Sequence, residues 1–240
     1  VVDRARLPAM YRQFSDIDLA NVLNSFDGLR RTRLNCFETS VFLNRGGKFE
    51  RRALPYPAQF SPTSGINVAD FDNDGREDLL LSQNLYSLRP DWGRLDSSAG
   101  MILLGQGDGR FEPVRAGSSG LAILGDSRNA SVVDFNRDGR TDIVATQTFG
   151  QTQVYLGQAG KPGIRVGFAA NHSLARRLGA RVRLVYPDGS MSPRRWFHSG
   201  DGVMAQCVPE QVLGFGQRPQ SIQVEWSNGT KKAIPVEPDK

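Results

Sequence analysis

From residue 41 onward, apolar positions come in short runs bounded by turn residues, the pattern of strands rather than helices. Leu79–Leu81 and Ile143–Ala145 are brief apolar blocks, and Val68–Ala69 and Val132–Val133 lie a few residues upstream of them. Ala180–Tyr186 alternates apolar and polar, Pro187–Gly189 makes a turn, and Arg194–His198 resumes as a strand, which predicts a hairpin. Ser221–Trp226 alternates again, turns at Asn228–Gly229 and continues through Lys232–Val236. The alternation predicts that Trp196 and Trp226 are buried.

Part of this pattern repeats. The hairpin Val41–Glu50 has a counterpart in Ile102–Glu112, and a third copy begins at Val154–Gln158 without being completed. Four short strands with turns between them cannot bury their own faces, so such repeats are expected to stack radially as propeller blades. Two repeats and a fragment fall short of the usual minimum of about four blades. The chain opens on Val1 with neither an initiator Met nor a signal peptide. It is therefore expected to be the C-terminal piece of a longer protein, or else to take its missing blades from other chains.

Between the inner strands of each repeat lies an aspartate-rich loop, Asp70–Asp78 and, 64 residues later, Asp134–Asp142. The first carries Asp70, Asp72, Asp74 and Asp78 at positions one, three, five and nine, with Gly75 at the sharply bent sixth position. The second carries Asp134, Asn136, Asp138 and Asp142, with Gly139 at the bend. Oxygen donors at this spacing wrap a hard cation such as Ca²⁺, and position seven, Arg76 or Arg140, would serve through its backbone carbonyl. Four acidic groups crowded together repel one another unless a cation neutralises them. The alternative, a solvated acidic turn, gives no reason for the spacing to recur. Asn136 in place of an aspartate leaves the second site with one less negative charge and predicts weaker binding. About two Ca²⁺ sites are expected. The loops are not EF-hands, because position twelve is Leu81 or Ala145 rather than Glu and strands flank each loop.

With these motifs in order, residues 41–158 resemble FG-GAP/VCBS repeats, the calcium-binding blade units of integrin-type β-propellers and of many secreted bacterial proteins. Residues 163–236 resemble the ASPIC/UnbV domain, which follows such repeats in the cartilage acidic protein family. Leu178–Leu184, Ser199–Gln206, Val212–Gly216 and Ile222–Gly229 carry that second resemblance. The expected fold class is all-β: the blades of a partial propeller, followed by a small antiparallel β-sandwich or barrel. The expected division is 1–40, an irregular or degenerate blade segment; 41–159, the calcium-binding blades; and 160–240, the C-terminal β domain. Its second boundary falls at the polar turn cluster Gly160–Gly163. Within 1–40, Asp16–Asn24 reads either as a strand pair or as an irregular insertion with a short helix turning Ile17, Leu19, Val22, Leu23 and Phe26 inward.

A 39% hydrophobic share with 26 glycines among 240 residues suits many short strands and tight turns. No apolar run approaches the ~20 residues of a membrane span. The net charge of +5 is unevenly placed: residues 160–240 hold 12 Lys/Arg against 6 Asp/Glu, and residues 1–159 hold 18 against 19. Arg176, Arg177, Arg181, Arg183, Arg194 and Arg195 lie close enough in sequence to form a patch, read either as a solvated face or as a surface for an acidic partner, glycan or anionic surface. No nucleic-acid motif accompanies the charge, so nucleic acid is not an expected partner.

Cys36 and Cys207 are too far apart for a metal-thiolate motif, and a disulfide between them would have to join two of the expected domains. The residue types of a hydrolytic triad occur in His198–Asp201, but neighbours along one strand and turn point to different faces. His172 reads as a loop residue, Gly105–Gly109 as a hairpin turn, and Asp91 and Asp96 have only their acidity to offer. The expectation is a non-enzymatic, calcium-stabilised scaffold at the cell surface, in the periplasm or in the medium, presenting a propeller surface to a protein or glycan partner. The alternative is an accessory part of an enzyme or electron-transfer assembly whose chemistry lies on another chain. Export follows from calcium supply, since loops of this type fill where the ion is near millimolar.

Overall fold

The computed structural model describes residues 28, 30, 32–86, 94–148, 150–168, 178–200, 206–207 and 209–237 of the chain. Two compact units are present: Val1–Phe37 with Leu88–Gly93, and Glu38–Ser87 with Arg94–Lys240. The alternatives for Asp16–Asn24 lie outside the described residues, as do His172, Asp91, Asp201, Arg176 and Arg177. The second unit holds every described strand.

It is all-β and antiparallel. Strands β1 (Ser40–Asn44) and β2 (Phe49–Ala53) form a hairpin. Next comes a four-stranded meander, β3 (Thr63–Ala69), β4 (Asp78–Gln83), β5 (Met101–Gly105) and β6 (Phe111–Pro113), then a three-stranded one, β7 (Ser127–Val133), β8 (Asp142–Gln147) and β9 (Gln153–Tyr155). The repeat seen in the sequence is a repeat of register. Ala69 faces Asp78 and Val133 faces Asp142, and each ladder carries one irregularity at matching places, between Thr63 and Gly65 and between Ser127 and Asn129. Both aspartate loops join paired strands, as the flanking apolar runs predict. The Gly105–Gly109 segment is the turn of the β5–β6 hairpin, closed by the Gln106 amide on the Arg110 carbonyl at 2.9 Å.

The sheets bury their faces against one another, which is why β4 is buried at all six of its positions. Leu79 and Leu81 join Leu54, Ala58 and Leu103 in a core on the β1–β2 side. Leu80, pointing the other way, joins Leu121, Ile123, Ala130, Ile143 and Ala145 on the β7–β9 side. Polar stitching holds β3 to β7: Asn67 Nδ2 donates to the Ala130 carbonyl at 2.8 Å. No described sheet closes on itself.

Among the described residues, the three-stranded meander has no counterpart of β6. After β9 the chain runs into β10 (Ile164–Gly167), which pairs with β13 (Glu210–Leu213). The remaining strands form a sheet in the order β12 (Arg195–Trp196), β11 (Arg181–Val185), β14 (Ser221–Glu225) and β15 (Lys231–Pro235). Both hairpins expected here are present: β11 with β12, and β14 with β15 turning at Gly229. The core between this sheet and the β10–β13 pair contains Ala180, Val182, Leu184, Phe197, Leu213 and Val224, with Phe168 and Trp226 packed beside it.

Trp196 corrects the sequence reading. It is 49% exposed, because the register Arg181↔Trp196 turns it to the outer face, and its neighbour Phe197, 1% exposed, fills the core instead. Phe168 meets Phe197 edge-on with ring centroids 4.6 Å apart. Among the described residues, no helix is long and apolar enough to cross a membrane.

Candidate cation-binding loops

The two loops share one set of backbone-amide-to-side-chain hydrogen bonds. In the first, Asp70 accepts the Asp74 amide on Oδ1 at 3.1 Å and the Gly75 amide on Oδ2 at 2.9 Å. In the second, Asp134 accepts the Asp138 and Gly139 amides at 3.0 and 3.1 Å. Asp72 and Asn136, at position three, accept the amides of Asp74 and Asp138 at 3.2 and 3.1 Å. Position five caps position seven: Asp74 accepts the Arg76 amide at 2.8 Å, and Asp138 that of Arg140 at 2.9 Å. The left-handed bend falls on Gly75 and Gly139, at φ 92° and 78°.

Position nine opens the second strand of each ladder and reaches beyond its own loop. Asp78 accepts the Phe71 amide and the amide of Gly105, both at 2.8 Å; Asp142 accepts those of Phe135 and Gly157, again both at 2.8 Å. These glycines come so close that an added Cβ would lie 2.0 Å from the Glu77 carbonyl oxygen at Gly105, and 2.5 Å from that of Thr141 at Gly157. Both belong to a recurring Leu-Gly-Gln in the sequence, which is the signal that marks this contact.

Asp70, Asp72 and Asp78 each offer a carboxylate oxygen, all within 4.8 Å of one another, the one such acidic group of three among the described residues. Asp74 stands outside this trio and pairs with the Arg76 guanidinium at 3.4 Å. Burial pushes the Asp70 carboxyl up to about 7, against the pull of Arg195 and of the Gly75 amide. Burial likewise pushes Asp78 up to about 6, despite the amides of Gly105 and Phe71. The two carboxylates are thus short of compensating positive charge, the condition a bound cation relieves. In the second loop, Asn136 Nδ2 donates to Asp138 Oδ2 at 3.0 Å, so an amide supplies there part of what a cation would supply.

The loops lie side by side. Asn73 Nδ2 donates to the carbonyls of Gly139 and Lys161 at 3.0 and 2.8 Å, and the Thr141 hydroxyl donates to the Asp70 carbonyl at 2.9 Å. The C-terminal strands cover the first of them. A Cβ on Gly214 would stand 2.3 Å from Asp70 Oδ2 and 2.5 Å from the Asn73 Cα. Arg195, 7% exposed, donates from Nη2 to the Arg76 carbonyl at 2.8 Å and pairs through Nη1 with Glu77 at 3.4 Å. The position-seven carbonyl of the first loop is therefore already engaged by a cation from the protein itself. Asn73, Arg195 and Gly214 carry no local signal in the sequence, since only the packing of distant strands brings them to the loop.

His198 and Cys207 also come together, with Sγ 3.7 Å from the ring Nδ1.

Residues 171–238 match the family model described as ASPIC and UnbV. The chain is similar to cartilage acidic protein 1 of Homo sapiens, 26% identical over 198 residues, which cover 76% of this chain and 27% of that protein. The chain thus spans about a quarter of the length of the curated relative it matches.

Proposed function

We propose that this chain, with the ASPIC and UnbV match at its C-terminal end, is a non-enzymatic scaffold in which FG-GAP/VCBS-type blade units are braced by Ca²⁺ and present a surface to a partner. One observation carries the reading: two loops 64 residues apart in sequence hold their first, third, fifth and ninth positions in the same hydrogen-bond set, and the carboxylates at the ends of the first are buried with raised proton affinity. A solvated turn has no cause to bury two aspartates.

Asp70, Asp72 and Asp78, with Asp74 beside them, would hold an ion in the first loop; Asp134, Asn136, Asp138 and Asp142 would do so in the second. All are hard oxygen donors, which suits Ca²⁺ over a transition metal. The ion would supply positive charge that fixes the turn between two strands, a structural contribution to folding. Placement outside the cytosol, at the cell surface, in the periplasm or in the medium, is part of the same proposal, because calcium is abundant there.

Thermal melts of the whole chain in calcium and in chelator test it. With free Ca²⁺ at about a hundred times its dissociation constant, one site adds roughly 2.7 kcal/mol, several degrees in melting temperature. Asp78→Asn should abolish most of that gain. Superimposable wild-type melts in calcium and chelator would identify the loops as ordinary acidic turns.

A further inference from the structure

The outer face of the β12-β11-β14-β15 sheet carries a row of side chains that the core does not explain. Cross-strand register sets Trp196, Arg181, Glu225 and Lys231 side by side across the four strands, with Arg183 and Gln223 in a second row. The alternate residues Val182, Leu184 and Val224 point inward and are buried, so the whole row faces away from the core. Arg181 lies over the Trp196 ring, 3.9 Å from its centroid, and pairs with Glu225 at 3.6 Å. Arg183 sets Nε and Nη2 on the Gln223 side-chain oxygen at 2.8 and 2.6 Å. Arg194 is exposed and, among the described residues, its side chain has no hydrogen-bond or ion-pair partner, although it lines one shallow depression together with Arg181, Arg183, Gln223 and Glu225.

Three guanidinium groups therefore line a depression that holds one carboxylate, Glu225, and of the three only Arg181 is paired with it. Uncompensated like charge on a folded surface costs stability, and here it concentrates beside a large aromatic left half in water. The imbalance belongs to this end of the molecule: residues 160–240 hold 12 basic and 6 acidic residues, and the rest of the chain is balanced.

From this juxtaposition we infer that the outer sheet face binds a sulfated polysaccharide, with Trp196 against the flat C–H face of a sugar ring and Arg181, Arg183 and Arg194 on its sulfate groups. This names a partner for the scaffold proposed above and rests on that reading only for the protein's role, not for its metal. Planar guanidinium forks suit the tetrahedral oxyanion, and residues two apart on a strand stand about 7 Å apart, so Arg181 and Arg183 can meet successive anionic groups along one chain. An acidic peptide fits less well. A peptide docked on a sheet uses a free strand edge or a strip of apolar pockets. The β15 edge is guarded by Lys231, Lys232 and Pro235, and the large exposed apolar side chains of the face, Trp196 and Met191, sit at opposite ends of the β11 hairpin with the arginines between them.

The experiment is binding of the whole chain to heparin, followed by fluorescence anisotropy at several salt concentrations, in calcium and in chelator, with polyglutamate as the second polyanion and dextran as the uncharged sugar. Saturable heparin binding that weakens as salt rises is expected, with no binding to dextran and at least tenfold weaker binding to polyglutamate. Arg194→Gln, which removes no side-chain hydrogen bond or ion pair among the described residues, should weaken heparin binding severalfold, and Arg181→Gln with Arg183→Gln should weaken it more than tenfold. Trp196→Ala should lower heparin affinity while leaving polyglutamate unchanged. Equal affinity for the two polyanions, or Arg194→Gln binding heparin as wild type does, would overturn the inference. The two readings fail separately: calcium-insensitive melts with intact heparin binding remove only the metal, and calcium-sensitive melts without heparin binding remove only the polysaccharide.

Discussion

The guanidinium of Arg195 donates to the carbonyl oxygen of Arg76 at 2.8 Å, a contact between residues 119 apart in sequence. It places a buried cation from the C-terminal sheet at the seventh position of the first aspartate loop, where it already offsets part of the charge on Asp70. Protein cation and bound Ca²⁺ would therefore compete for the same negative field.

Arg195→Met separates the two effects. In chelator the variant should be less stable than wild type by about 2 kcal/mol, since the Arg76 carbonyl and buried Asp70 lose a partner. Its calcium affinity should rise by about tenfold, because the repulsion between guanidinium and ion is gone. Calorimetric titration reads this directly, and weaker calcium binding in the variant would mean that Arg195 helps to build the site.

Gly214→Ala tests the cover over the loop. The new methyl would stand 2.3 Å from Asp70 Oδ2 and 2.5 Å from the Asn73 backbone, so either β13 or the loop must shift. A loss of about 3 kcal/mol is expected, with a drop of several degrees in melting temperature. Gly216→Ala, where a Cβ has nothing within 4 Å, is the matched control and should melt within about a degree of wild type.

The raised Asp70 and Asp78 carboxyls give the cation-free protein a particular pH dependence. Both groups hold protons more tightly in the folded chain than the ~3.9 of an unfolded aspartate. Their contribution is thus fully present below that value and is lost as pH rises through about 6 and then about 7. In chelator, wild type should lose stability relative to Asp70→Asn between pH 5 and 7.5, by an amount on the order of a few kcal/mol. Saturating calcium should remove the difference in slope. Parallel pH profiles in chelator would show that the carboxyls titrate normally.

Asn136→Asp should convert the second loop toward the first. It exchanges an amide that donates to Asp138 for a carboxylate that repels it, so the variant should be destabilised by about 1 kcal/mol in chelator. In calcium it should recover that and more. Measured in an Asp78→Asn background to silence the first loop, a calcium-dependent rise in melting temperature no larger than that of Asn136 would count against ligation at position three.

The sequence alone determined the local elements, because they depend on neighbours. Period-two alternation in Ala180–Tyr186 and Ser221–Trp226, turn residues at Gly189 and Gly229, and the oxygen donors of Asp70–Asp78 and Asp134–Asp142 all act within one turn of chain, so hairpins and loops could be read directly. Alternation assigns faces without saying which is inner, and a strand of two residues, Arg195–Trp196, has too little pattern to decide; the register with Arg181 exposed Trp196 and buried Phe197. The pairing of β10 with β13, the adjacency of the two loops through Asn73, and the cover supplied by Gly214 and Arg195 were decided by tertiary structure alone. They are contacts between strands distant in sequence, fixed by which buried faces fit together and by which polar groups must find a partner once water is excluded.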